Sequence, residues 1–177
     1  MTEKSDNIST KKPVLDACCG ARKMYFDKDA ECVVFGDIRD ASFVQVDGRR
    51  LEVKPDIRLD FTELPFPDES FSLVVFDPPH LRKVGQNSFM GQSYGSLPYR
   101  NSLTPIALGF DECWRVLKPN GTLIFKWSAT DFSLQEVLKA IRRKPLFGNR
   151  RPSRETFWMV FFKTADENAG TDMPALF

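Results

Sequence analysis

A run of apolar residues that ends in an acid and two prolines constrains the fold of this chain more than any other stretch. Residues 73–76 are continuously apolar, which is typical of a strand buried on both faces of a parallel sheet. Asp77 follows directly, at the carboxyl end of that strand, where open α/β sheets bind ligands. Pro78 and Pro79 fix φ and lack an N–H, so the strand must end there in a stiff corner beside His80. The segment therefore predicts an α/β fold with a functional site at this corner.

Length, charge and cysteine content limit the kind of protein. The chain has 177 residues and a net charge of +1, which fits one domain with a sizeable core and no overall attraction to polyanions. The four cysteines have neither a Cys-x-x-Cys pair nor zinc-type spacing. We therefore expect no metal and reduced thiols, with Cys32 and Cys113 in the core. There is no signal peptide and no apolar run near ~20 residues, so we expect a cytoplasmic protein that does not bind membranes.

Two further apolar segments also end in an acid. Residues 13–23 indicate a short strand and a turn, with Asp16 at the strand end and Gly20 in the turn, where glycine permits positive φ and close approach of a ligand. Residues 31–37 indicate a second strand that ends at Asp37. In nucleoside-binding α/β folds an acid about 20 residues beyond the glycine turn binds the ribose hydroxyls. Here the shorter spacing predicts a short intervening helix, and a simple turn cap is the alternative role for Asp37.

The rest of the chain continues the α/β pattern. Residues 42–53 alternate and include Asp47-Gly48, a type I′ hairpin signal, where a second crossover helix would be usual. Apolar periodicity predicts the other elements: strands at 56–60, 122–127 and 156–162, helices at 105–117 and 131–144, a turn at 118–121, and an antiparallel edge that includes 146–149. At the end of the fifth strand, Lys126 and Trp127 either border a substrate or, for the tryptophan, pack in the core.

The chain divides into one domain and two tails. Residues 1–12 predict a disordered tail, residues 13–163 the domain and residues 164–177 a flexible tail. Within the domain, residues 81–104 form a long loop after the acid corner, which we interpret as a substrate lid. The basic residues near the C-terminus predict either a nucleic-acid footprint or a solvated face: Arg142, Arg143, Lys144, Arg150, Arg151 and Arg154.

Several of these segments resemble, in the expected order, the class I S-adenosylmethionine-dependent methyltransferases. Asp77-Pro-Pro-His80 is similar to the Asp-Pro-Pro-aromatic signature of the adenine-N6-like amino-methyltransferases. Residues 13–23 resemble their first motif, Leu-Asp-Pro-Phe-x-Gly-Ser-Gly, with Arg22 where glycine is usual. Residues 60–71 and the segment Arg-Val-Leu-Lys-Pro-Asn-Gly-Thr-Leu at 115–123 are typical of the superfamily. The resemblance implies a Rossmann-like fold: a seven-stranded, mostly parallel sheet with a C-terminal antiparallel hairpin, flanked by helices.

The resemblance also implies which residues bind the cofactor, S-adenosyl-L-methionine. Asp16 would accept a hydrogen bond from the cofactor's amino group, Asp37 from the ribose hydroxyls and Asp60 from the adenine amine, with Phe61 beside the ring. The complete predicted set is Asp16, Ala17, Cys18, Gly20, Asp37, Ile38, Asp60, Phe61 and Asp77.

The catalytic residues implied by the resemblance are Asp77, Pro78, Pro79 and His80. The Asp77 carboxylate and the Pro78 carbonyl would accept the hydrogens of an amine and make its nitrogen more nucleophilic, while His80 stacks on the base. The expected reaction is methylation of the exocyclic amine of adenine in DNA or RNA. Alternatives are a protein side-chain amide, a small molecule, or a non-catalytic methyltransferase-like subunit, which Arg22 keeps open. Reading a nucleic-acid sequence would require the 81–104 loop or a partner subunit.

Overall fold

The computed structural model describes residues 12–45, 48–81, 102–149 and 155–165. Its elements are β1 Val14–Asp16, β2 Val33–Asp37, β3 Ala41–Val44, β4 Arg50–Val53, β5 Ile57–Arg58, β6 Phe71–Phe76, α1 Thr104–Val116, β7 Leu117–Ser128, α2 Leu134–Ile141, β8 Phe147–Gly148 and β9 Thr156–Phe162.

Seven of the strands form one sheet in the order β5-β2-β1-β6-β7-β9-β8. The first five pair in parallel, and β9 is antiparallel to both β7 and β8. The carboxyl ends of β2, β1, β6 and β7 therefore lie side by side on one edge, which is where such sheets bind ligands. The predicted Rossmann-like fold, mostly parallel with a C-terminal antiparallel hairpin and flanking helices, is confirmed.

Different segments pack the two faces of the sheet. The helices α1 and α2 cover one face, where Phe125 and Trp127 of β7 are fully buried in the main core. A smaller cluster lies on the other face, which we call the second face. It is centred on Phe35 of β2 and includes Tyr25, whose ring is edge-on to Phe35 at 4.8 Å. Side chains alternate along a strand, so polar residues between core positions point to the second face.

Hydrogen bonds from named side chains explain where the helices begin and end. Ser133 and Glu136 form a capping box at the start of α2, which satisfies backbone N–H groups there. At the end of α1, the buried ammonium of Lys163 donates to the carbonyls of Trp114 and Leu117, at 3.1 and 2.7 Å. Lys163, which directly follows β9, thus provides hydrogen bonds to carbonyls at the C-terminal end of α1.

Arg115 of α1 ties two of the motif-like segments together. Its guanidinium donates to the carbonyls of Leu64 and Phe66, at 3.0 and 2.8 Å, and to the carboxylate of Asp68 at 2.8 Å. Glu112 accepts from Arg115 at 2.7 Å and from the Leu64 N–H at 2.8 Å. The hydrogen bond from Arg115 is the main reason that the pKa of Glu112 is lowered. The loop between β5 and β6 is therefore fixed to α1.

The predicted helix between β1 and β2 is wrong, because the residues that join them form only turns. Arg22 has a left-handed backbone, with φ of 52°. Its guanidinium donates to the carbonyls of Lys28 and Lys54, at 2.6 and 2.8 Å, and lies 3.9 Å from the centre of the Phe35 ring. These contacts hold the segment between β1 and β2 on the second face as a series of turns. The Arg22 side chain covers the Phe35 ring, which a helix would otherwise cover.

Other differences concern boundaries and exposure. Cys32 is exposed rather than buried, because it precedes β2 at the amino-terminal edge of the sheet, outside the core. Leu108, one of the apolar positions of the helix predicted over 105–117, lies on the outer side of α1 and is 51% exposed. The helix predicted over 131–144 is shorter, since the chain turns into the left-handed region at Arg142, with φ of 53°. Residues 118–121, predicted as a turn, lie within β7, where the pairing with β6 shifts register.

The hairpin formed by β3 and β4 is confirmed and makes a separate two-stranded sheet. The N–H of Gln45 donates to the carbonyl of Arg49 at 2.8 Å, and Gly48 has φ of 80°, which glycine adopts without strain. Residues 46 and 47 lie outside the described residues, so the predicted turn type stays a prediction.

Several sequence predictions lie wholly or partly outside the described residues. These are the 81–104 loop beyond Leu81, the basic residues Arg150, Arg151 and Arg154, and most of both tails. Lys12, assigned to the N-terminal tail, binds the body of the fold: its ammonium is 3.1 Å from the carboxylate of Asp56. Neither helix in the described part of the chain is long and apolar enough to cross a membrane.

Candidate active site

Three carboxylates meet at the carboxyl ends of three adjacent parallel strands. Asp16 ends β1, Asp37 ends β2 and Asp77 follows β6, and β1 lies between the other two strands. The side chains of Leu15, Val34 and Phe76 belong to the main core under the helices. Because side chains alternate along a strand, the three acids point to the second face. The negative charges of Asp37 and Asp77 both raise the pKa of Asp16. The structure therefore brings together three of the four acids that the sequence assigns to the site, all except Asp60.

Asp16 is completely buried and only partly hydrogen-bonded. Its Oδ1 accepts from the N–H of Cys18 at 3.1 Å, while the neighbouring N–H of Ala17 donates to the carbonyl of Val75 at 3.0 Å. Burial raises the pKa of Asp16, and the hydrogen bond from Cys18 and the Tyr25 hydroxyl lower it by less, so the pKa is about 7. The hydroxyl influences Asp16 without reaching hydrogen-bonding geometry: Asp16 Oδ2 and the Tyr25 oxygen are both buried without a partner among the described residues. A buried acceptor and a buried hydroxyl thus face a site with unmet hydrogen bonds.

Asp37 is buried and accepts several hydrogen bonds. Its Oδ2 accepts from the N–H of Gly20 at 2.9 Å, and Gly20 has positive φ, 51°, as predicted for this turn. The guanidinium of Arg39 donates to both carboxylate oxygens, at 3.0 and 3.2 Å, and its N–H donates to Oδ1 at 2.9 Å. A ligand hydroxyl that binds Asp37 must therefore displace or share the Arg39 contacts.

Asp77 forms an ion pair that joins two strands. The ammonium of Lys126, from β7, is 2.6 Å from Asp77 Oδ2. Asp77 is nearly buried, with 8% of its side chain exposed, and Lys126 keeps 20%. Burial raises the pKa of Asp77, and the charge of Lys126 opposes that effect. Lys126 also lies 5.5 Å from the ring centre of Trp158, its neighbour on β9.

His80 packs at the corner that follows Asp77. Its ring is edge-on to Trp127 at 6.3 Å. Burial lowers the pKa of His80, while the charge of Asp77 and a hydrogen bond to the Pro78 backbone raise it; the balance favours a neutral ring near pH 7. Trp127 is fully buried and donates to the carbonyl of Phe132 at 3.0 Å, so its role is in the core.

The other predicted cofactor residues occupy different environments. Ile38, next to Asp37, is 51% exposed and is an apolar side chain at the rim of the site. Asp60 is exposed on the same edge of the sheet, two residues beyond β5, and its Oδ1 accepts from the N–H and hydroxyl of Thr62. Phe61 turns into the main core, 5.4 Å from Phe76 in an edge-on pair. Asp60 is not linked to the carboxylate cluster by a described contact, and Phe61 has little surface for an adenine ring.

Sequence analysis missed Arg39 and Tyr25 at this site, and it named Lys126 as a residue that could border a substrate without predicting its ion pair with Asp77. Lys126 alternates with buried aromatics, so the strand pattern directs it to the second face. Arg39 lies two residues beyond the end of β2, where no strand pattern applies. Tyr25 gives no such signal, because the sequence predicts a helix there. Among the described residues, no group of three or more His, Cys, Asp or Glu could hold a metal ion.

Comparison with known proteins shows a likeness of fold. No protein-family model matches the chain, and no curated protein matches its sequence. The structure is similar to the PH0226 protein of Pyrococcus horikoshii (TM-score 0.53, 13% identity, 85% of this chain and 82% of that one). It is also similar to 1,6-didemethyltoxoflavin-N1-methyltransferase of Burkholderia thailandensis, solved with 1,6-didemethyltoxoflavin and S-adenosylhomocysteine (TM-score 0.49, 15% identity, 92% and 79%). A third similar structure is a Haloferax volcanii protein in complex with the Trm112 methyltransferase activator (TM-score 0.42, 14% identity, 92% and 89%).

Proposed function

We propose that this protein is an S-adenosylmethionine-dependent N-methyltransferase that acts on the exocyclic amine of adenine in DNA or RNA. The observation that carries the proposal is the position of Asp77. Its carboxylate stands at a Pro-Pro corner on the carboxyl edge of the sheet, beside Asp16 and Asp37. The adenine part of the proposal depends on the resemblance of residues 77–80 to the adenine-N6-like signature.

The residues at the ends of β1 and β2 fit the proposed cofactor. When bound, S-adenosylmethionine supplies a methyl group on a positively charged sulfonium. Asp16 Oδ2, buried without a partner among the described residues, suits the amino group of a ligand, and the positive φ of Gly20 lets the backbone approach closely. Asp37 has the carboxylate that ribose hydroxyls need, provided that Arg39 yields part of its contacts. Ile38 offers an exposed apolar surface to a flat base.

Asp77, Pro78 and His80 supply the chemistry at the acceptor. The lone pair of a conjugated amine is drawn partly into its ring, so a group that accepts the amine hydrogens makes the nitrogen more nucleophilic. Asp77 is such a group, and its charge also offsets positive charge that develops on the nitrogen. The Pro78 carbonyl has two lone pairs and can accept from the amine besides its bond with His80. A neutral His80 ring is suited to stacking, and a base in a duplex must first be flipped out.

The choice of nucleic acid over other acceptors rests on that resemblance, since the basic residues give it little support. Arg142 lies 3.8 Å from Asp111, and the Arg143 guanidinium lies 4.2 Å from the ring centre of Trp114. Arg143 therefore packs against the body of the fold, whereas Arg142 forms a long ion pair at the surface. A partner subunit for target recognition remains part of the proposal, as does a cytoplasmic location.

A second candidate function is a non-catalytic methyltransferase-like subunit. One observation favours it: Asp37, the residue expected to bind ribose, already accepts three hydrogen bonds from Arg39. If Arg39 holds that position permanently, the nucleoside part of the cofactor is excluded. Titration calorimetry with S-adenosylmethionine separates the two functions, because micromolar binding excludes the second candidate and absence of binding excludes the first.

The test of the proposed function is transfer of labelled methyl from S-adenosylmethionine into separated DNA, RNA and protein of a lysate that lacks the protein. We expect label in one nucleic-acid fraction that digests to methylated adenine. We also expect Asp77→Asn to lose at least ~100-fold of the rate while retaining affinity for the cofactor. Label only in protein or small molecules would replace the proposed acceptor. Full activity in Asp77→Asn would contradict the proposed mechanism.

A further inference from the structure

The position of Lys126 in the sheet brings its side chain to Asp77. Phe125 and Trp127, on either side of Lys126, are fully buried under the helices. The alternation of β7 therefore sends Lys126 to the second face. β7 pairs with β6 so that Phe125 is opposite Phe76, and Lys126 comes level with Asp77. Register alone thus sets the ion pair.

The Asp77–Lys126 contact is short and partly shielded from solvent. The ammonium of Lys126 is 2.6 Å from Asp77 Oδ2, and the Trp158 ring lies 5.5 Å from the same nitrogen. An aromatic ring on that side limits where the ammonium can move and attracts its charge. Among the described residues, no hydrogen bond reaches Asp77 Oδ1. The two carboxylate oxygens therefore differ: one is fixed by Lys126, and the other faces the site.

Several charged or titratable groups act on Asp77. Lys126 comes from β7, Asp16 from β1, Cys18 from the turn after β1, and His80 from the same corner as Asp77. The charge of Asp77 raises the pKa of Asp16 and of the partly buried Cys18 thiol, whereas the charges of Lys126 and, to a smaller extent, His80 lower the pKa of Asp77. Lys126 is therefore the strongest of these in favouring an ionised Asp77.

We propose that Lys126 is a positioning residue for Asp77: its ammonium fixes Oδ2, keeps the carboxylate charged, and leaves Oδ1 to meet the acceptor amine. This inference rests on the proposed role of Asp77 as the group that accepts the amine hydrogens. The carboxylate lies between the ammonium and the acceptor, which reduces repulsion between Lys126 and positive charge developing on the acceptor nitrogen. The same arrangement allows the acceptor amine only one oxygen of Asp77.

Removal of the Lys126 charge has a consequence that depends on pH. Burial already raises the pKa of Asp77, and loss of an opposite charge at this distance raises a carboxyl pKa by about 1–3 units more. A protonated Asp77 has lost the charge that makes it a strong acceptor. The rate of transfer should therefore fall as pH decreases through the raised pKa, whereas a purely structural role for Lys126 would lower the rate equally at every pH.

The test compares Lys126→Met, which removes the charge, with Lys126→Arg, which keeps it. Lys118→Met is the matched control, because Lys118 is an exposed lysine on the same strand. Two quantities are measured between about pH 5 and pH 9: the rate of methyl transfer, and the carbon-13 shift of the Asp77 carboxyl, assigned with Asp77→Asn. If Lys126→Met does not fold, Lys126→Gln replaces it.

We expect Lys126→Met to move the acid limb of the rate and the Asp77 titration upward together, by about 1–3 pH units. Lys126→Arg should restore both, and Lys118→Met should change neither. An Asp77 titration in Lys126→Met that coincides with wild type overturns the inference, as does a loss of rate that is independent of pH. The carbon-13 titration needs no substrate: a shifted titration without transfer to any acceptor would support the role of Lys126 and refute the proposed function.

Discussion

Replacement of Asp16 by asparagine should stabilise the unliganded protein at neutral and alkaline pH. Asp16 is fully buried, and its Oδ2 has no hydrogen-bond partner among the described residues. The hydrogen bond from the Cys18 N–H to Oδ1 therefore compensates only part of the water that ionised Asp16 loses on folding. Asparagine keeps an acceptor for the Cys18 N–H and removes the charge. A residue kept at a cost in stability suits a binding role, because a ligand amine would supply the missing partner.

The magnitude follows from the pKa of Asp16, which is raised from 3.8 to about 7. The folded protein retains a proton that the unfolded chain releases, so stability is greatest below the unfolded pKa and falls as pH increases toward 7. A difference of about 3 units at 1.36 kcal/mol each is about 4 kcal/mol. Above pH 7 the contribution is constant. The Asp16→Asn variant lacks this loss, so the two proteins should have similar stability near pH 4 and differ most from pH 8.

The assay is urea unfolding of wild type and Asp16→Asn in steps from about pH 4 to pH 8. For a chain of this size, about 4 kcal/mol is equivalent to a shift in Tm on the order of 10 °C. Tyr25→Phe is a control, since it removes the other unpartnered polar atom of the described residues and should leave the pH dependence largely in place. Parallel stability curves for wild type and Asp16→Asn, or a less stable variant at pH 8, would refute the reasoning.

Two further predictions concern the contacts that hold α1. Lys163→Met should reduce the free energy of unfolding by about 2–5 kcal/mol, because the carbonyls of Trp114 and Leu117 lose a buried donor. Urea unfolding measures this change, with Lys139→Met at an exposed position as the control. Equal stability of the two variants would contradict the prediction. Arg115→Met should cost about 2 kcal/mol after solvent screening and expose the loop that it binds to limited proteolysis. Unchanged cleavage there would show that the loop does not depend on Arg115.

The sequence was sufficient for the sheet and for the acids at its edge, and the reason is periodicity. Residues 73–76 and 32–36 are apolar runs too short for helices, and parallel strands buried on both faces have this composition. Asp16, Asp37 and Asp77 each follow such a run, so parallel pairing alone brings them to one edge. The hairpin was predictable for a similar reason, since alternation and a glycine turn are local properties.

The partners of those acids were not predictable, because they depend on register and on side-chain reach. Lys126 meets Asp77 only if β7 pairs with β6 in the observed register. Arg39 meets Asp37 because the chain folds back within two residues, which no periodic pattern encodes. Burial of Phe61 in the core likewise reflects tertiary packing against Phe76. Sequence patterns thus located the site residues without showing which of them are already paired.

Arg22 bears directly on the choice between catalytic and non-catalytic functions. The arginine where the resemblance expects glycine is the sequence observation behind the non-catalytic alternative. Yet Arg22 adopts positive φ, 52°, the backbone region that glycine enters freely and other residues at a cost of about 1–2 kcal/mol. Its guanidinium offsets that cost by stacking on Phe35 and pairing with Asp56 at 2.9 Å. The turn therefore keeps a glycine-like backbone, and the case for a non-catalytic subunit depends instead on whether Arg39 releases Asp37.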